Sequence, residues 1–211
     1  MNVVLRRIGL VAIVALIVSG CATPTQKLSD ADRTKVKAAS ISANVQKPRE
    51  IFLLAPGASV GLMFGAIGGL ASSGAIEDSR KVFSSFIEKN SISVERIVRE
   101  EVELALRESG KIVVSDKDDA STTVINITIP LHGFGVTNLL GSNVVPVLGI
   151  KCDMVDSTGR VLWSASDRMG PSIANPMEST TWKILHDNPE LIEEQWRKAA
   201  KYLLKKIVAE L

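Results

Sequence analysis

Cys21 is the residue whose surroundings say most about its chemistry. It follows Val18, Ser19 and Gly20, and ahead of these stand Arg6 and Arg7 and then the charge-free run from Ile8 to Val18. A basic end, a short apolar run and small residues before one fixed position are the three parts of a secretory leader. The run is shorter than the roughly 17–25 residues that span a bilayer, so residues 1–20 are expected to be cleaved. A second candidate is Ser59, in Gly57-Ala58-Ser59-Val60-Gly61, which has the G-x-S-x-G spacing of a nucleophile elbow. Asp153 or Asp156 and then His186 follow in the order of a hydrolase triad. Against this, only one strand signal precedes Ser59, and His186 beside Asp187 and Asn188 reads as a helix-end residue. A serine hydrolase using Ser59 is the remote alternative, and the chain reads as non-enzymatic.

Other site chemistry is thin. His132 and His186 are far apart and lack the spacing of zinc ligands. Asp116, Asp118 and Asp119 crowd a turn without the remaining positions of a calcium loop. No metal or cofactor is expected. Cys152 lies in the alternating pattern Leu148, Ile150, Cys152, Met154 and reads as a buried core thiol.

The tetrapeptide Val18-Ser19-Gly20-Cys21 resembles the lipobox of bacterial lipoproteins. That resemblance implies a diacylglycerol thioether on Cys21, cleavage before it, and an N-acyl chain on the new terminus. Two or more acyl chains suffice for stable anchoring, so no protein segment is needed to hold the membrane. Ala22 stands where an aspartate would resemble an inner-membrane retention signal, so the outer membrane, periplasmic side, is the expected location. Residues 21–48 are rich in Thr, Ser, Lys, Gln and Asp, and are expected to form a lipidated, disordered tether.

Gly57, Gly61, Gly65 and Gly69 recur every four residues in a stretch that holds no charge from Ile51 to Ile76. The repeat resembles the glycine zipper of several outer-membrane lipoproteins. Glycines at this spacing let two helix backbones approach closely. Residues 57–75, if helical, would extend about 28 Å at 1.5 Å per residue, near the hydrocarbon thickness. Ser59, Ser72 and Ser73 make the stretch only moderately apolar, so insertion as a membrane oligomer and packing on the protein's own sheet both stay open. Leu139, Leu140 and Val144, at a hairpin tip, form a second candidate contact.

The elements that must carry these residues read in order as follows. Glu50 to Ala55 is a strand, and Asp78 to Lys89 and Ser93 to Ser109 are helices, the second capped by Ser93 and ended by Gly110. Strand signals then cover Lys111 to Ser115, Thr122 to Gly133, Val145 to Val155 and Val161 to Ala165. In the second of these Ile125, Ile127, Ile129 and Leu131 alternate with Asn126, Thr128 and Pro130. Asp156 to Arg160 is a polar turn closing a hairpin. A last helix opens with Asn188 as N-cap and Pro189 in its first position, and buries Ile192, Trp196, Ala199, Leu203 and Ile207.

Residues 49–211 are thus expected to form one α/β (α+β) domain, a mixed, largely antiparallel sheet of about five strands with helices mainly on one face. The order from Ser93 to the last helix resembles small α/β envelope lipoproteins related to the curli secretion channel and the penicillin-binding-protein activators. Without Arg6 and Arg7 the 25 basic residues become 23, equal to the 23 acidic ones, so no electrostatic footprint for nucleic acid exists. The expected role is a binding or assembly accessory that meets the membrane through its lipid and an envelope protein, or itself, through its folded domain.

Overall fold

The computed structural model describes residues 26–36, 38–54, 75–115, 123–137, 143–171 and 175–211. Its axis is the hairpin of β4 (Val124–Val136) and β5 (Asn143–Val155), the longest strands. β6 (Val161–Met169) continues the antiparallel ladder beyond β5. On the other side of β4 lie β1 (Ala39–Ile41) and then β3 (Val114–Ser115), both parallel to their neighbours. β2 (Phe52–Leu54) also pairs with β4 in parallel, further along it, and β7 (Thr180–Thr181) pairs with β5. Among the described residues the sheet therefore has seven strands, in the order β3-β1-β4-β5-β6 with β2 and β7 off that path. It is mixed and mostly antiparallel, with two short strands more than the apolar pattern predicts.

The helices are α1 (Asp30–Arg33), α2 (Ala75–Lys89), α3 (Val94–Ser109), α4 (Trp182–Asp187) and α5 (Glu190–Ala209). α3 forms where expected: the Ser93 hydroxyl accepts the Arg96 N–H at 3.1 Å, and Gly110 closes the helix at φ 62°. Its apolar stripe, Val94, Ile97, Val98, Val102 and Leu106, is buried, and α5 lies beside it. α5 buries Ile192, Trp196, Ala199, Leu203 and Ile207 against β5 and β6. Beneath them the sheet presents Ile125, Ile127, Ile150, Cys152, Met154 and Trp163, all buried. Burying each such side chain contributes about 1.5–3 kcal/mol, which makes this face the main stabilising layer. Pro171 near Gly135, and Asn175 donating to the Pro146 carbonyl, cover part of the far side.

Three expectations are corrected. The segment 26–48, read as tether, belongs to the domain: Gln26 pairs with Ser164, Leu28 and Ile41 are 6% exposed, and Ala39 is fully buried. A three-residue strand hydrogen-bonded on both sides needs little apolar content, because its backbone pairing and small side chains fill the gap between β3 and β4. Asn188 closes α4, donating from its amide side chain to the Ile184 carbonyl, and α5 starts after Pro189. Val144 is no surface contact, because it pairs with Val136 and is fully buried.

Cys21, Ser59, the glycines at 57, 61, 65 and 69, and Leu139 and Leu140 lie outside the described residues. Among the described helices none is long and apolar enough to cross a membrane.

Candidate functional site

β4 does not run straight. Its register against β5 shifts between Thr128 and Leu131, and Pro130 sits inside that irregularity. Proline lacks the N–H a ladder needs, so it belongs at such a break. Before the break the odd residues Ile125, Ile127 and Ile129 are buried; after it the even residues His132, Phe134 and Val136 are. One extra residue thus turns His132 from the polar face into the core and leaves Leu131 half-exposed, out of the stripe the alternation predicts.

The chain facing this break is also interrupted. Gln46 pairs with β4 at Thr128, donating to the Ile127 carbonyl and accepting from the Ile129 N–H. Pairing resumes only at Phe52, opposite Gly133. Between these points Lys47 to Ile51 arches away from β4. The space so opened is a cavity of about 200 Å³, floored by His132 and Trp196 and walled by Ile51, Ile87, Ile92 and Val94. Lys47, Arg49, Ser84 and Glu88 stand at its mouth.

The floor is held from behind. Trp196 of α5 donates its indole N–H to the Gly133 carbonyl at 3.2 Å and meets the His132 ring edge-on, with centroids 6.1 Å apart. Phe134 packs against Trp196 and Trp182, and Phe83 of α2 closes the aromatic group, with centroids 5.6–6.1 Å apart. Such pairs contribute about 0.5–1.5 kcal/mol beyond their buried area, so the floor is a rigid platform. Gly133 is required here: at φ 148° a Cβ would lie 1.8 Å from the Phe52 carbonyl oxygen.

His132 is 5% exposed, and its Nδ1 has no hydrogen-bond partner among the described residues. Burial, reinforced by the nearby Lys47 charge and opposed by Glu95, brings its pKa down to about 4. The imidazole is therefore neutral at pH 7, below the range in which it would serve as a general base. Among the described residues no carboxylate, hydroxyl or thiol is bonded to its Nδ1. Lys47 is engaged with Glu95 at 2.8 Å.

The depressed pKa has a consequence for stability. Above pH 6.5 the ring is neutral in both folded and unfolded chains and contributes nothing. As pH falls from 6.5 towards 4 the unfolded chain takes up the proton and the folded one does not, so stability is lost across that window. The loss is expected to reach about 3 kcal/mol at most, and His132→Phe should flatten that limb of a stability-against-pH curve from urea unfolding. An unchanged slope in the variant would assign the acid limb to other groups.

Among the described residues Asp153, Asp156 and His186 each engage different partners. Asp153 accepts the Ser164 hydroxyl at 2.6 Å and pairs with Lys151. Asp156 organises the turn before β6, accepting from Thr158 and Arg160, and these bonds hold its pKa down at about 2. His186 stacks on Phe86 and lies beside Asp187. Cys152 is buried as expected, and burial raises its thiol to about 12, which keeps it protonated and inert.

No protein-family model matches this chain, and no curated protein sequence matches it. Among solved structures it is similar to the PelC dodecamer from Paraburkholderia phytofirmans, at 13% identity over 90% of this chain and 95% of that one, with a TM-score of 0.38. A Xanthomonas campestris protein of the DUF330 family model is 11% identical over 81% of both chains, with a TM-score of 0.42. A minor lipoprotein from Acinetobacter baumannii is 10% identical over 83% of this chain and 94% of that one, with a TM-score of 0.35.

Proposed function

We propose that this chain is a lipid-anchored envelope lipoprotein, facing the periplasm from the outer membrane and acting as a non-enzymatic binding or assembly accessory. The observation that carries the reading is the short distance in sequence between Cys21 and Gln26, a described residue already paired with the sheet. Gln26 is bonded to β6 through both backbone groups of Ser164 and through its own amide to the Val161 carbonyl. Five residue steps separate it from Cys21, and fully extended they reach roughly 17 Å. A lipid on Cys21 would therefore keep the β6 edge and the end of α5 close to the headgroups. A protein held this way works beside the membrane, with a restricted set of faces open to a partner.

Two measurements test the reading. In cells, Cys21→Ser is expected to abolish labelling by a palmitate analogue and to move the protein from the membrane fraction to the soluble one. Retention of the wild type and Cys21→Ser alike in the membrane, with label on neither, would reject the anchor. Envelope crosslinking of the wild type is expected to recover a specific protein adduct that the soluble variant loses; no adduct above that control would reject the accessory role.

A further inference from the structure

α3 and α5 run side by side in the same direction. Arg96 reaches Glu193 at 2.7 Å near their starts, and Lys111, just beyond α3, donates to the Val208 and Ala209 carbonyls at the end of α5. Their outer seam opens into a groove of about 260 Å³. Ala105, Leu204 and Val208 line it with apolar surface, and Leu104 stands on its rim with 44% of its area exposed. One exposed leucine means little by itself. The same groove, however, holds Glu108 of α3 and Lys205 of α5, two exposed opposite charges that enter no ion pair among the described residues. The charges further up the seam are already spent, Arg197 on Glu100, Glu101 and Glu193.

An apolar ridge beside an apolar groove, flanked by one acid and one base, is complementary to itself. We propose that this seam is the contact between two copies of the chain, related by a two-fold axis running along the helices. Such an axis sets α3 of each copy against α5 of the other at the same height, a contact made twice over. Leu104 then closes over the second copy's Leu204 and Val208, and Glu108 meets the second copy's Lys205. The anchor agrees with that axis. Gln26 is bonded to Ser164, and the adjoining Trp163 donates to the Glu210 carbonyl at 3.1 Å, so the chain enters the domain beside the end of α5. A two-fold along the helices places both entry points at one end of the dimer, where a single leaflet serves two lipids. An axis across the helices would send them to opposite ends. Only this placement of the tethers rests on the lipid-anchored reading; the complementarity does not. The 16 residues of α3 extend about 24 Å, so a face two helices wide buries roughly 1,000 Å² in all, the low end for a specific interface. The dimer is therefore weak in solution and favoured where a membrane concentrates it.

The test is sedimentation equilibrium of the full-length protein in detergent micelles at pH 7. The wild type is expected to form a reversible dimer, half-populated at about 10–100 μM, and Cys21→Ser to form it with the same constant, which separates this result from that of the anchor. Leu104→Arg should stay monomeric, and Lys205→Glu, which sets an acid against Glu108, should dimerise at least about tenfold more weakly. Adding Glu108→Lys to Lys205→Glu should bring the constant back to within about threefold of the wild type, because the pair is then reversed across both halves of the contact. All three positions are exposed, so these variants keep the core intact. A monomer up to about 500 μM, a dimer that Leu104→Arg leaves intact, or no recovery in the double charge reversal would each overturn the assignment. A photocrosslinker at position 104 that captures only a different envelope protein in cells would overturn it too.

Discussion

Arg197→Ala is expected to destabilise the domain by about 3–5 kcal/mol, more than a surface charge change could. The reason is Glu101, which sits on the apolar stripe of α3 and is only 3% exposed. Arg197 of α5 crosses the helix seam and donates from Nη1 to the Glu101 carboxylate at 2.6 Å, while Nη2 reaches Glu100 at 2.9 Å and Glu193 at 3.0 Å. Arg96 ties Glu193 back to α3 at 2.7 Å, so five side chains lock the two helices in one register. Removing the guanidinium strands a buried carboxylate whose next cation, Lys201, is 4.0 Å away. Urea unfolding at neutral pH measures the loss. The double change Glu101→Leu with Arg197→Met should restore most of it, because a buried ion pair replaced by apolar groups of similar volume is often neutral or better. A loss below about 1 kcal/mol in Arg197→Ala would mean that water reaches Glu101 and the seam is held by its apolar residues alone.

That pair also shows what could be read before the coordinates. The helices α3 and α5 were legible because their apolar residues recur at helical spacing over four or five turns, and the β4–β5 hairpin because isoleucines alternate. Glu101 falls on the buried stripe of α3, yet a carboxylate gives no sign of burial until the partner from α5 is known. β1 was illegible for the opposite reason: Ala39-Ser40-Ile41 is too short and too plain to show a period, and its place is fixed by backbone partners on both sides. The candidate site depended on parity. Continued without a break, the β4 alternation sends His132 outwards with Asn126 and Thr128, and only Pro130, inside an otherwise central strand, hints that the count slips there. The resemblance of Val18-Ser19-Gly20-Cys21 to a lipobox, by contrast, is wholly a matter of local spacing and draws on no tertiary information.

Gly133→Ala should remove the arch and with it the cavity, at a cost of about 3–5 kcal/mol. Two effects add at this one position. The backbone has φ 148°, which an L side chain rarely adopts, and the added Cβ would lie 1.8 Å from the carbonyl oxygen of Phe52 and 2.8 Å from its carbon. Neither neighbour is the far end of a flexible side chain, so β2 must leave β4 for the methyl group to fit. Phe52, Leu53 and Leu54 then lose their partners Gly133, Phe134 and Gly135, and the Lys47–Ile51 segment loses its second anchor while keeping the first at Gln46. The expected signature is local: amide exchange at Phe52 to Leu54 rises by orders of magnitude, whereas Val124 and Asn126, paired with Val155 and Asp153 of β5 on the other side of the break, keep most of their protection. With the arch released, water reaches His132 and its pKa climbs from about 4 towards the ordinary 6.5, visible as a shifted imidazole titration. A variant that keeps both its β2 protection and the low histidine pKa would show that β4 tolerates a side chain here, and that the cavity does not depend on the close approach of these two strands.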